Sequence, residues 1–121
     1  MPLKDFQDAR HRQRSKAKIL LSMIESDGQE HYSVMAMPDS YSAAHDKALY
    51  AFYTQLGKAV NFPENIILKI TMKSASGSVV WATIDPESWL EIVEDGCEVR
   101  VEITGDIERL MRLREADLIF Q

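Results

Sequence analysis

The chain has a single cysteine, Cys97, among 121 residues. No intrachain disulfide can form, and no cysteine-based zinc site can be built from this chain alone. No apolar run approaches the roughly 18 residues that a membrane-spanning helix needs, and residues 1–18 are polar and basic, without the apolar stretch of a secretion signal. The phosphate-binding pattern GxxxxGK[ST], the dinucleotide pattern GxGxxG, the metal pair HExxH and the nucleophile elbow GxSxG are all missing. The histidines His11, His31 and His45 are scattered, with no cysteine or carboxylate at ligand spacing. These absences lead us to expect an intracellular protein, cytoplasmic or nuclear, with no metal, no cofactor and no catalytic residues.

The residues that are present suit an ordinary folded domain. The chain is 45% hydrophobic and 27% charged, and it is long enough to bury one core without covalent staples. Its net charge of −5 is unevenly spread. Residues 1–18 hold Lys4, Arg10, Arg12, Arg14, Lys16 and Lys18 against Asp5 and Asp8, a net of +4, which leaves −9 for the remainder. A basic arm thus precedes an acidic body. Arg10, Arg12, Arg14 and Lys16 either solvate the arm, dock it on the body, or reach an external polyanion. An acidic body repels phosphate, so nucleic-acid contact is expected only through the arm.

Along the chain, residues 3–16 have almost no apolar face and read as an arm or marginal helix. Residues 17–25 read as a buried strand and residues 30–37 as an alternating one. Between them Asp27-Gly28 favours a tight turn, because both residues accept positive φ cheaply. Asp39 or Ser40 then caps a helix whose apolar stripe is Tyr41, Ala44, Ala48, Leu49, Phe52, Tyr53 and Leu56, stopped at Gly57. Residues 66–73 alternate as a strand with Ile66, Leu68, Ile70 and Met72 inward. Residues 78–84 return after a Ser-Gly turn. Asp85-Pro86 starts a short helix carrying Trp89, Leu90, Ile92 and Val93, with Asp85 as cap. Residues 97–104 alternate again, with Cys97, Val99, Val101 and Ile103 inward. Beyond Gly105 a terminal helix is expected, bearing Ile107, Leu110, Met111 and Leu118.

This order of strands and helices, over residues 17–104, resembles the ubiquitin-like (β-grasp) superfamily. The resemblance is one of element order, not of residue motif. It implies an α+β fold, ββαββαβ, flanked by the arm (1–16) and the terminal helix (105–121). A ferredoxin-like domain is the chief rival, but it needs residues 17–36 as one strand, against the turn at Asp27-Gly28. Conjugated members end in a di-glycine tail; here Gly105 stands alone, which argues against a modifier. The resemblance therefore implies a non-catalytic protein-interaction module, part of a larger scaffold or complex, working through its sheet face or an edge strand. Lys18 and the Glu94-Asp95 pair suit PB1-type pairing, but the full acidic motif is absent. The alternative is an accessory protein that contacts nucleic acid through the arm. An enzyme with an unrecognised site is a third reading, and it calls for a deep pocket with perturbed carboxylates or His31.

The expected partner surface is Ile67, Lys69, Trp81 and Arg100, or the edge from His31 to Met35. Trp81 is a binding hot spot if Val80, Ala82 and Ile84 point inward, and a core residue otherwise. Trp89 is expected in the core. His31 is expected on the outward face of its strand, and His45-Asp46 on a solvated helix face. Leu110, Met111, Leu118, Ile119 and Phe120 form a candidate surface for homo-oligomer formation.

Overall fold

In the computed structural model, which describes residues 16–105, an α+β fold is built on a mixed five-stranded sheet. Strands β1 (Lys18–Ile24) and β2 (Glu30–Ala36) form the first hairpin. Helices α1 (Tyr41–Ala51) and α2 (Tyr53–Leu56) follow, and 3-10 turns lead to β3 (Ile66–Lys73) and β4 (Val79–Thr83). A 3-10 turn, Pro86–Ser88, and helix α3 (Trp89–Ile92) precede β5 (Glu98–Ile103). The sheet order is β2-β1-β5-β3-β4, with β1 and β5 parallel and the other pairs antiparallel. This arrangement is compatible with a β-grasp. The arm residues Arg10, Arg12 and Arg14, and Leu110, Met111, Leu118, Ile119 and Phe120, lie outside the described residues. Among the described residues no helix is long and apolar enough to cross a membrane.

The turn chemistry explains the first hairpin. Gly28 sits at φ 90°, its amide donates to the Glu25 carbonyl, and the Gln29 amide donates to the Asp27 carboxylate. The long helical segment starts at Ser40, whose hydroxyl accepts from the Ala43 amide, so Ser40 is the cap rather than Asp39. It is interrupted at Phe52 and ends at Gly57, φ 56°. Ala44, Ala48, Phe52 and Leu56 form its buried stripe, while Tyr53 points to solvent at 65% exposure, against the sequence expectation. One step along the helix turns a side chain by about 100°, enough to take Tyr53 off a stripe that Phe52 occupies.

The core lies between the helices and one sheet face. Ile19, Leu21, Met23, Ile66, Leu68, Ile70, Val99 and Val101 line the sheet side, and Trp89 closes one end. The parallel β1–β5 contact is anchored by the Leu20 amide donating to the Cys97 carbonyl and by the Lys18 amide donating to the Asp95 carboxylate. Met72 shares the inward face of β3 but is 53% exposed, because it lies beyond the cover of the helices. Leu90, expected among the apolar set of the short helix, is also exposed. Asp85 does not cap that helix through a backbone amide; its carboxylate accepts from the Ser88 hydroxyl instead.

Candidate functional site: the outer sheet face

Register carries the sequence-expected residues to one surface. Lys69 pairs with Arg100, Ile67 with Glu102, and Thr71 with Trp81, all on the face away from the helices. Ser22 and Leu20 of β1 continue that face beside Arg100 and Glu98, and Tyr32 and Val34 of β2 complete it. Ile67, Lys69, Trp81 and Arg100 are therefore neighbours on the outer face. Ile84 is buried on the inner side, with Ala82 half-buried there, so Trp81 faces outward; it is half-buried, because the Arg100 guanidinium lies over its ring.

The basic groups on this face are not free. Arg100 stacks on Trp81 at 4.0 Å, donates to the Ser22 hydroxyl, and lies 3.4 Å from the Glu98 carboxylate. Stacking of this kind contributes about 0.5–2 kcal/mol. Ser22 in turn donates to Glu98 at 2.9 Å. It is the buried polar residue of the described core, 1% exposed, although it belongs to the outer face. Its hydroxyl is affordable there because it both donates and accepts. Lys69 pairs with Glu102 at 3.1 Å. Surface pairs of that type contribute about 0–1 kcal/mol, so this one orients Lys69 more than it stabilises the fold. Across the central strands the face is thus a charge-balanced polar band, with opposite charges flanking the adjacent Lys69 and Arg100. Apolar shoulders stand on either side, Ile24, Tyr32 and Val34 on the first hairpin and Val79 on the second. The Tyr32 phenol donates to Glu30 at 2.7 Å, and that bond, which favours the neutral phenol, pushes its pKa up.

The other candidates fall elsewhere. His31 is not outward: it pairs with Met23 on the helix side and lies 3.0 Å from the Glu25 carboxylate. His45 is not on a solvated face. Its Nε2 is 2.8 Å from the Ile66 carbonyl and 3.0 Å from the Pro63 carbonyl. Both oxygens only accept, so Nε2 carries the proton and ties α1 to the start of β3. Tyr41 stacks on the same ring and accepts from the Leu68 amide. A cleft of about 360 Å³ lies beside His45, lined by Tyr41, Ser42, Pro63, Glu64 and Ile67 among others. A second, more apolar groove of about 490 Å³ runs between the β2 edge and α1, lined by Ser33, Met35, Asp46, Lys47, Tyr50 and Ala51. Sequence reasoning named Met35 there but missed Tyr50, which is 88% exposed; its position off the apolar stripe was the available signal. Among the described residues no cluster of histidine, cysteine and carboxylate is placed to hold a metal.

Cys97 is half-buried at the head of β5. Burial raises its thiol pKa, and the Glu94 and Glu98 carboxylates add to that against a backbone hydrogen bond that lowers it. The thiolate is the reacting form, so a raised pKa slows alkylation. At pH 8 iodoacetamide is expected to modify Cys97 roughly tenfold more slowly in the native protein than in denaturant. Mass spectrometry of the time course checks this; equal rates would show the thiol to be open and unshifted.

The sequence matches no protein-family model and no curated protein.

Proposed function

We propose that the chain is a non-catalytic protein-interaction module of the ubiquitin-like β-grasp kind, which presents its outer sheet face to a protein partner. The observation that carries this reading is the convergence of Ile67, Lys69, Trp81 and Arg100 on one face. Two hairpins beside a helix, joined through β5, which is parallel to β1 and antiparallel to β3, support the β-grasp assignment. A rigid sheet with a stacked Trp–Arg pair is preorganised: little side-chain entropy remains to be lost when a partner covers it. Arginine and tryptophan are also the residues that most often dominate interface energies. The balanced charges favour a partner with its own mixed polar band and apolar flanks over a highly charged one.

The second reading is strand addition at the β2 edge, with partner side chains entering the groove beside Met35 and Tyr50. One experiment separates the two. The full chain is used as bait in quantitative cross-linking capture, beside Arg100→Ala, Trp81→Ala and, for the groove, Met35→Lys with Tyr50→Ala. The expected result is at least about a tenfold loss of the captured partner for the outer-face variants, equivalent to about 1.4 kcal/mol or more, and no loss for the groove variant. Loss confined to the groove variant would move the site to the β2 edge. Capture unchanged in all variants would sink both readings.

A further inference from the structure

We propose that the chain forms a two-fold dimer by pairing β4 with β4 of a second copy, antiparallel and centred on Trp81. Among the described residues β4 is an outer strand of the sheet, with β3 on one side only. The ladder fixes which of its backbone groups are free. The Ile84 amide donates to the Leu68 carbonyl, and the Ser74 amide donates to the Ser78 carbonyl. The even-numbered residues of β4 therefore turn their backbone groups to β3. Val79, Trp81 and Thr83 turn theirs to the open edge.

Those groups are self-complementary. With Trp81 opposite Trp81 of the second copy, Val79 falls opposite Thr83, and every outward amide of β4 meets an outward carbonyl of its mate. Shifting the register by two residues leaves groups at both ends unmatched. The side chains agree with the same register. On the helix side the row across the junction is Met72, Val80, then Ala82 and Ile70 of the second copy, all apolar. Met72 and Val80 are 53% and 41% exposed, so the pairing covers surface that the described fold leaves open. On the outer side Trp81 meets Trp81, with Val79 against Thr83.

Charge points to a second copy as the occupant. Edge strands are ordinarily guarded by lysine, proline or a bulge. The sequence of β4, Val-Val-Trp-Ala-Thr, contains no charge and no proline. Two copies meet there without like-charge repulsion, despite a net charge of −5 on each chain. The opposite edge lacks this property, because β2 carries Glu30 and His31. The dimer joins two sheets into one and sets two outer faces side by side, which would offer a partner a bivalent surface.

The test is sedimentation velocity of the full chain over a wide concentration range, with amide hydrogen exchange at both ends of the range. The expected result is a monomer–dimer equilibrium in which exchange at Val79, Trp81 and Thr83 slows by about tenfold or more at high concentration, while Tyr32, Val34 and Ala36 on the β2 edge are unchanged. Trp81→Lys sets two cations opposite each other and is expected to abolish the dimer. Thr83→Pro, which removes an outward amide and no bond to β3, is expected to weaken it independently of the indole. A monomer at all concentrations overturns the proposal. So does a dimer whose protected amides lie on β2, or β4 protection that is independent of concentration, since another segment of the chain would then cover the edge.

Discussion

Replacing Trp89 with alanine is expected to destabilise the domain by about 3–5 kcal/mol, in the range for truncating a buried aromatic. Trp89 is 2% exposed, the largest side chain of the described core, and closes the space between the short helix and the start of α1. Its indole donates to the Pro38 carbonyl at 2.9 Å, and Tyr41 meets its ring edge-on at 6.3 Å. Tyr41 in turn accepts from the Leu68 amide and stacks on His45. Truncation therefore removes ring contacts, opens a cavity and leaves a buried carbonyl without its donor. Single domains are stable by only about 5–15 kcal/mol, so the variant should sit close to unfolding at physiological temperature. Trp89→Phe keeps an aromatic ring and loses the donor, which limits the cost to about 1–3 kcal/mol. Urea unfolding of both variants checks the order. A loss below about 1 kcal/mol for the alanine variant would mean that the short helix does not depend on its tryptophan.

Trp89 was legible from sequence because a short amphipathic helix after Asp85-Pro86 has few ways to bury its largest residue. The convergence of Ile67, Lys69, Trp81 and Arg100 was legible in part for a similar reason. Alternation in residues 66–73, strict in 97–104, assigns faces strand by strand, and the outward sets are then Lys69, Thr71 and Lys73 in the first and Glu98, Arg100 and Glu102 in the second. What alternation cannot supply is pairing. The position of Arg100 between Ser22 and Lys69 depends on β5 lying between β1 and β3. The neutralisation of both cations by Glu98 and Glu102 depends on the same register.

The misreadings have a common origin in tertiary partners. Residues 30–37 alternate between two faces of similar polarity, so the phase is undecided until Met23 is found opposite His31. His45 looks like a surface residue until the chain returns at Pro63 and Ile66 with carbonyls that need a donor. Met72 has the inward phase of its strand, but phase does not say how far the covering helices extend. Ser22 reads as an ordinary strand serine, and only the crossing of β5 buries it.

The second large effect is expected at Phe52, the residue that interrupts the long helical segment. Phe52→Ala should cost about 3–5 kcal/mol, even though alanine is the better helix former. The helical hydrogen bonds run through the interruption: the Phe52 amide donates to the Ala48 carbonyl, and the Leu56 amide donates to the Phe52 carbonyl. The backbone at Phe52 nevertheless departs from helical values, at φ −111° and ψ 26°. Its ring is 2% exposed in the core, between buried Ala48 and buried Leu56. Propensity and packing therefore oppose each other at this position. Alanine regains at most about 0.7 kcal/mol of helix propensity, whereas the vacated ring volume costs several times more. The net effect should be destabilising, with helicity by circular dichroism unchanged or slightly raised in the native baseline. Phe52→Leu fills most of the space and should cost about 1–2 kcal/mol. Chemical denaturation of the pair decides the matter. If Phe52→Ala were neutral or stabilising, the interruption would be a local backbone preference, and the grip of the sheet on the helix would have to rest on Ala44, Ala48 and Leu56 alone.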